Sequence, residues 1–292
     1  MTAKQPKLTL VILNYNSQFW LKKTLTTLKQ FYLDKTKTKV DTIVVDNASQ
    51  DESVDLLKKE FKWVKLIKSE ENLGFSAGNN LALRKIKSDY VMLLNNDIEF
   101  TDKSNLDVLL KFMDENKKVA VCTSQLNLAD GSLDKACHRG EPTFWAAATF
   151  YLKLEKLFPD SKFFGQYHLT YKNMNKVHTI DACSGAAMMI RASAMDEIGL
   201  LDERFFMYAE DLDWCHRFRD KNYQIVYVPQ VEIIHHKYKS GIKTESDLTS
   251  TQTKQYFYNT MLQYYDKHYK NENPRIYRFI LKAFIFIKKD GL

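Results

Sequence analysis

The sequence predicts an α/β fold: a Rossmann-like sheet flanked by helices, with a helical extension at the C-terminus. Three observations carry that prediction. Short apolar runs alternate with helical spacing four times before Asp97. Each run stops abruptly at polar residues. Beyond Gly241 this rhythm gives way to a Tyr-rich helical stretch and an apolar tail with basic flanks. Strand-helix alternation of this kind implies parallel β-α-β units with right-handed crossovers.

The elements follow in order. Leu8 to Leu13 is a near-continuous apolar run and reads as a strand buried on both faces. It ends at Asn14-Tyr15-Asn16-Ser17, where Ser17 is placed to cap a helix from Gln18 to about Gln30. Trp20, Leu21, Leu25 and Leu28 recur there at helical spacing. Thr42 to Val45 is the second strand, ending in Asp46-Asn47-Ala48-Ser49. Asp51 to Phe61 reads as a helix, with Asp51 and Glu52 favourable in its first turn. Val64 to Ile67 is the third strand. Glu71 to Asn80 is a glycine-bearing loop that enters a helix reaching about Lys87, and Tyr90 to Leu94 is the fourth strand.

Leu106 to Glu115 then reads as a helix and Val119 to Thr123 as a strand. From Asn127 to Thr179 the periodicity weakens. Asp130-Gly131 marks a turn, and an aromatic cluster from Phe144 to about Tyr171 reads as an insertion. It could shape an acceptor site, or equally serve as a packing arm or a homodimer contact. Small residues from Ala182 to Ala187 precede a strand through Ile190. Phe205 to Trp214 leads into a helix to about Lys221. Gln224 to Val228 is a strand closed by Pro229, and Val231 to Ile234 is another, ending in His235-His236. Thr244 to Thr253 reads as loop and Gln255 to Tyr269 as helix. The expected organisation is one domain over 1–243, with a nucleotide-binding half (1–125) and an acceptor half (126–243), then a helical tail over 244–292.

Composition narrows the class. The 292 residues are 45% hydrophobic and 27% charged, which suits a globular enzyme with an ample core. A net charge of +7 suits an anionic partner such as a nucleoside diphosphate or an acidic lipid surface, and does not call for nucleic acid. Cys122, Cys137, Cys183 and Cys215 form no C-x-x-C pair, so neither a zinc cage nor a disulfide framework is expected. With no apolar signal region at the N-terminus, a cytoplasmic location is expected. No apolar run reaches the roughly 18 residues that a membrane helix needs. The tail from Tyr277 to Lys289 could instead lie in a membrane interface, at the inner face of the cytoplasmic membrane, or pack on protein.

Asn14, Asp46, Asn72 and Asn95 to Asp97 are the polar strand ends, and on one sheet edge they would line a nucleotide-sized pocket. Asp97 is the candidate metal ligand, because one carboxylate plus diphosphate oxygens and water can satisfy Mg²⁺ or Mn²⁺. His235 closes a later strand and is the candidate second ligand, which would favour Mn²⁺; His236 is the weaker choice. Glu210, Asp211 and Asp213 crowd a helix start, where acids also simply offset the helix dipole. Asp211 is the candidate general base, and the aromatics Phe206, Tyr208 and Trp214 around it could desolvate a carboxylate.

Six stretches, in this order, carry a resemblance: Val11–Asn16, Val44–Ser49, Asn72–Asn79, Leu93–Asp97, Ser184–Ala186 and Phe205–Asp213. Together the sequence resembles the family 2 glycosyltransferases, most of all their bacterial rhamnosyltransferase-like branch, over about residues 8 to 236. That resemblance implies a GT-A fold with a mixed sheet, and inverting transfer by a single displacement. It implies that Tyr15 and Asp46 contact the nucleotide, with Asn14, Asn47, Asn72, Gly74, Asn79, Asn95 and Asn96 completing the donor pocket. It implies Asp97 as the acid of a D-x-D motif, here with Asn95 in first place, His235 as completing the metal site, and Asp211 as base. Gly185, Glu210 and Trp214 fall to the acceptor side. The implied reaction moves a sugar, favoured as L-rhamnose from dTDP-rhamnose, to a saccharide or lipid-linked saccharide in cell-envelope polysaccharide biosynthesis. The rivals are a sugar-nucleotide pyrophosphorylase and a non-catalytic nucleotide-sugar-binding protein.

Overall fold

A computed structural model gives the fold; it describes residues 5–237 and 247–290, apart from the side chains of 247–252 and 289–290. The first half is built as expected. β1 (Leu8–Asn14) leads to α1 (Gln18–Leu28), β2 (Val40–Asp46) to α2 (Ser53–Glu60), and β3 (Lys65–Lys68) to α3 (Gly74–Leu83) and β4 (Tyr90–Asn95). A two-residue strand, β5 (Ile98–Glu99), precedes α4 (Leu106–Glu115) and β6 (Val119–Leu128). The weakly patterned region holds α5 (Phe144–Tyr151), α6 (Leu154–Leu157) and β7 (His178–Ile180). Then come β8 (Ala187–Arg191), α7 (Ala192–Ile198), α8 (Glu210–Asp220) and β9 (Gln224–His235), and last α9 (Asp247–His268) and α10 (Arg275–Asp290).

Among the described residues one sheet runs β3-β2-β1-β4-β8-β6-β9-β5, with β7 also on β9. β1 to β4 are mutually parallel, whereas β8 is antiparallel to both β4 and β6. The sheet is therefore mixed, and strands from both expected halves belong to it. The boundary expected after residue 125 falls inside β6, so the halves share one core. That core is continuous: Leu10, Ile12, Val44, Met189 and Ile233 are all fully buried.

Local corrections have physical causes. Ser17 does not cap α1, and its hydroxyl has no partner. Asp51 does so from the next loop: one oxygen accepts from the Gln18 N–H at 2.9 Å, the other from Ser53 N–H at 3.0 Å, so a single carboxylate serves two helix starts. Helix α1 runs on into a π-helical turn, Lys29–Leu33, and α3 stops at Leu83. Pro229 does not end a strand. β9 passes through it with a register shift against β6, where Ser124 faces Val228 and Gln125 faces Glu232; proline lacks the N–H the ladder would need. Residues from Asp247 onward are helical rather than loop, while 244–246 lie outside the described residues.

Candidate active site

The parallel register brings the strand ends level: Asn14 lies beside Asp46, and Leu13 beside Asn95. Amides then knit the loops together. The Asn14 amide N–H donates to Asp46 at 3.3 Å and to Ser49 at 3.2 Å, and its oxygen accepts from Asn96 at 2.9 Å. Asn47 donates to Asn72 at 2.9 Å and to the Gly74 carbonyl at 3.2 Å, while accepting from the Leu73 N–H at 3.0 Å. Tyr15 remains 38% exposed, its ring accessible at the edge of this cluster. Asn79 is buried in α3 and donates to the Phe75 carbonyl one turn back at 2.9 Å.

A short antiparallel pairing creates the next contact. Ile98 of β5 faces His235 of β9, so Asp97, just before β5, comes beside the end of β9. His235 Nε2 lies 3.3 Å from Asp97 Oδ1 and 3.3 Å from the Asn95 amide. Its Nδ1 meets Asp134 Oδ2 at 2.8 Å, and Lys237 donates to the other Asp134 oxygen at 2.8 Å. Burial works against a charged imidazole here, but the hydrogen bonds to Asp134 and Asp97 win and push His235 up to about 9. A histidine whose Nδ1 is held by a carboxylate and whose Nε2 faces a second one has the arrangement that metal-bound histidines use. Among the described residues no group of three or more His, Cys, Asp or Glu side chains could hold an ion alone. A cation at Asp97 and His235 would therefore complete its shell with substrate oxygens and water. His236 turns away, against Glu99 at 2.7 Å and the Trp20 ring at 4.6 Å.

The second cluster sits at the start of α8. Tyr208 and Ala209 precede it with φ of 72° and 63°, two successive non-glycine residues in the left-handed region. Such strain, of order 1–3 kcal/mol per residue, persists only where surrounding structure enforces it. Asp211 follows, and a buried Arg139 donates to its Oδ2 at 2.5 Å. Glu210 is 6% exposed and its Oε2 has no partner. Burial, and then the charge of Asp211, push the Glu210 carboxyl up to about 8. Two adjacent carboxyls thus sit in unlike environments: Asp211 is ion-paired with Arg139, whereas Glu210 is buried and forms no ion pair among the described residues. Trp214 supports α8 from the core: it is fully buried, donates to the Gly199 carbonyl at 2.9 Å and packs on Phe218. It offers no free polar atom to an acceptor, against the sequence expectation.

The two clusters are tied to one short segment. Asp134 holds His235, and Arg139 holds Asp211, across the 3₁₀ turn Lys135–Cys137. A second tie runs through the glycine loop. The Phe75 N–H donates to the Phe206 carbonyl at 2.6 Å, and Ser76 to the Phe205 carbonyl at 2.6 Å. Gly74 has φ +76°, and a Cβ there would stand 2.4 Å from the Phe206 oxygen. At Gly185 a Cβ would stand 2.8 Å from the Phe75 ring. Gly74, Gly185 and the approach to Asp211 therefore converge around Phe75. Sequence reasoning missed Asp134, Arg139 and Phe75. The first two lie where periodicity is weak, and only Asp134 had a local signal, as a cap for the following turn.

Comparison with known proteins agrees with this architecture. Residues 9–199 match the sequence model of Glycosyl transferase family 2, and 129–285 that of Glycosyl transferase family group 2. The N-acetylglucosaminyl-diphospho-decaprenol L-rhamnosyltransferase of Mycobacterium tuberculosis is 24% identical over 213 residues, 69% of this chain and 68% of that one. The low-salt glycan biosynthesis hexosyltransferase Agl10 of Haloferax volcanii is 26% identical over 82% of this chain and 70% of its own. Among solved structures, a mannosyltransferase from Pyrobaculum calidifontis, in complex with GDP-Man and Mn²⁺, superposes with a TM-score of 0.61 at 14% identity. The match covers 98% of this chain and 70% of that one. Its similarity bears on the fold alone. Taken with the mixed sheet and the strand-end cluster, the span of the family match settles the assignment: the chain belongs to glycosyl transferase family 2, has the GT-A fold and is a glycosyltransferase.

Proposed function

We propose that the enzyme transfers a sugar from a nucleoside diphosphate to an acceptor hydroxyl, with inversion. The observation that carries this reading is the Asp134–Arg139 segment, which anchors both His235 and Asp211. Asp97 and His235 would hold a divalent cation, Mn²⁺ or Mg²⁺, which when bound stabilises the charge on the leaving diphosphate. Asn14, Asp46, Asn47, Asn72 and Asn96 shape the nucleotide side, and the exposed Tyr15 is its contact to the base. Asn95 turns its amide toward His235, beside the diphosphate position. On the acceptor side, Asp211 takes the proton of the attacking hydroxyl. Arg139 orients Asp211. Glu210, protonated near neutral pH, can donate a hydrogen bond to the acceptor, and Gly185 leaves room beside Phe75.

The favoured donor is dTDP-L-rhamnose, on the strength of two rhamnosyltransferases among the relatives. The second of them is WbbL of Escherichia coli, 26% identical over 56% of this chain. The favoured acceptor is a saccharide or lipid-linked saccharide met at the cytoplasmic face of the membrane. A pyrophosphorylase would need a glycine-rich, basic first loop, and Asn14-Tyr15-Asn16-Ser17 has neither. The test is transfer from a panel of nucleotide-sugars with and without Mn²⁺. Asp211→Asn should abolish transfer while donor binding persists. Asp97→Ala should weaken metal-dependent binding of the nucleoside diphosphate in calorimetry. Turnover by the Asp211 variant, or unchanged affinity in the Asp97 variant, removes the role concerned.

A further inference from the structure

Helix α10 carries two apolar stripes, and the fold uses only one. Tyr277 stacks on Phe144 with ring centroids 4.1 Å apart, and Phe284 meets Tyr151 at 4.5 Å, so the inner stripe packs on α5. The outer stripe, Ile276, Phe279, Ile280, Phe286 and Ile287, recurs at helical spacing and is 43–68% exposed. Among the described residues no helix is long and apolar enough to cross a membrane. A contiguous exposed row of this kind marks an interaction surface.

Packing extends that row into the insertion. Trp145, next to Phe144 on α5, lies 4.7 Å from Phe163, and Phe163 and Phe158 both contact Phe164 at 5.1 Å. Leu152, Leu157, Phe158 and Phe163 are 51–69% exposed. Exposed apolar side chains therefore occur on both elements that meet at the Tyr277–Phe144 stack, α10 and the α5–α6 insertion. Charge is predominantly of one sign on α10, which carries Arg275, Arg278, Lys282, Lys288 and Lys289 against a single acid, Asp290, at its last position. Arg278 is bound to Asp266, while Arg275, Lys282 and Lys288 are exposed. On the insertion Lys153, Lys156 and Lys162 are exposed, as is one acid, Asp160, between Phe158 and Phe163, while Glu155 is buried against His168.

We propose that α10 and the α5–α6 insertion together form one seat for an anionic lipid bilayer. The aromatic and aliphatic side chains enter the acyl boundary, and the lysines and Arg275 lie at the level of the lipid phosphates. The charge argues against a second copy of this chain as the occupant. A twofold contact would set the same patch against itself, cation row facing cation row. The seat joins the chemistry through α9, where Tyr256 stacks on Phe206 at 4.9 Å and Phe257 contacts Tyr208, both just before Asp211. The proposal deepens the reading of a membrane-borne acceptor and rests on it for the purpose of the contact, but not for the contact itself.

The test is flotation of the full chain with phosphatidylcholine vesicles, with and without phosphatidylserine. The wild type should float with the anionic vesicles and less so at high salt. Phe279→Ser with Phe286→Ser should lower partitioning at least tenfold, and so should Leu157→Ser with Phe158→Ser; Lys282→Glu should lower it about fivefold or more. All these side chains are exposed, so melting temperatures should match the wild type. Quenching of tryptophan emission by acyl-brominated lipid should occur in the wild type and be reduced by Trp145→Phe, which assigns it to Trp145 among the four tryptophans. Absence of wild-type flotation, or of quenching, overturns the proposal. Wild-type flotation by the insertion variant overturns the two-part seat. A stable dimer in light scattering, lost in the α10 variant while vesicles are ignored, makes the occupant a second copy. Transfer to a water-soluble acceptor reports separately on the proposed function, so the two readings fail independently.

Discussion

At the scale of single residues, the proposed chemistry rests on two neighbouring carboxyls that are unlike. Asp211 is ion-paired with Arg139, and Glu210 is buried with no ion pair of its own among the described residues. Folded Glu210 keeps its proton to about 8, whereas the unfolded chain releases it near 4.5. Between those values the folded state binds more protons, so this group costs stability progressively as pH rises. Glu210→Gln should flatten that fall. We expect its melting temperature to exceed that of the wild type at pH 8 by an amount corresponding to roughly 1 kcal/mol or more, about 2–4 °C, and to match it near pH 4.5. Equal pH slopes in scanning calorimetry would contradict this account of Glu210. Arg139 gives a second test. Arg139→Met leaves a buried carboxylate without its cation, at a cost of roughly 3 kcal/mol or more. Arg139→Met with Asp211→Leu should recover much of it, a coupling that a double-mutant cycle in urea measures.

At the scale of elements, the parallel half of the sheet was legible because strands buried on both faces leave uninterrupted apolar runs. Beyond it β6, β8 and β9 were read as strands, but β5 and β7 were not. β5 has two residues and β7 three, too short for periodicity to register, yet β5 is what sets Asp97 beside His235. The helix caps misled for a related reason: Ser17 is a good local cap, but Asp51 from another loop reaches Gln18 first. Such long-range competition is invisible in a window of neighbours. The glycine loop was recognised, but its docking on Phe206 was not. That docking ranks two substitutions. Gly74→Ala forces both a left-handed φ and a Cβ 2.4 Å from a backbone oxygen, which has nowhere to go. Gly185→Ala meets only the edge of the Phe75 ring at 2.8 Å, and a ring can swing. Thermal melts should show Gly74→Ala losing several kcal/mol together with transfer activity, and Gly185→Ala losing clearly less. The reverse order would mean that the loop does not seat on Phe206 as described.

At the scale of the whole molecule, motif residues of the site were legible one by one, but the links between them were not. Asp97, Asp211 and His235 stand out as acids and an imidazole at element ends, whereas Asp134 and Arg139 lie in a stretch with no periodicity to mark it. The tail shows the same division. Its helical, apolar character was evident, but its two helices do different jobs. α9 is bolted to α8: Asp213 is fully buried and receives His268 at 2.8 Å, Lys267 at 2.5 Å and Arg217 at 2.9 Å. Glu141, on the insertion, accepts from Tyr264 at 2.5 Å and also from Tyr269 and Arg219. Removing α9 would take two of the three side-chain partners, Lys267 and His268, from buried Asp213, two residues from Asp211. Breaking a buried ion pair costs about 3–5 kcal/mol. α10 adds the Arg278–Asp266 pair and ring packing at the periphery. Ending the chain after residue 246 should therefore lower the melting temperature by roughly 10 °C and abolish transfer to a soluble acceptor. Ending it after residue 274 should lower the melting temperature by much less and leave that transfer largely intact. If both truncations melted alike, α9 would not be the brace that holds the start of α8 in its strained left-handed entry, and the placement of Asp211 would need another explanation.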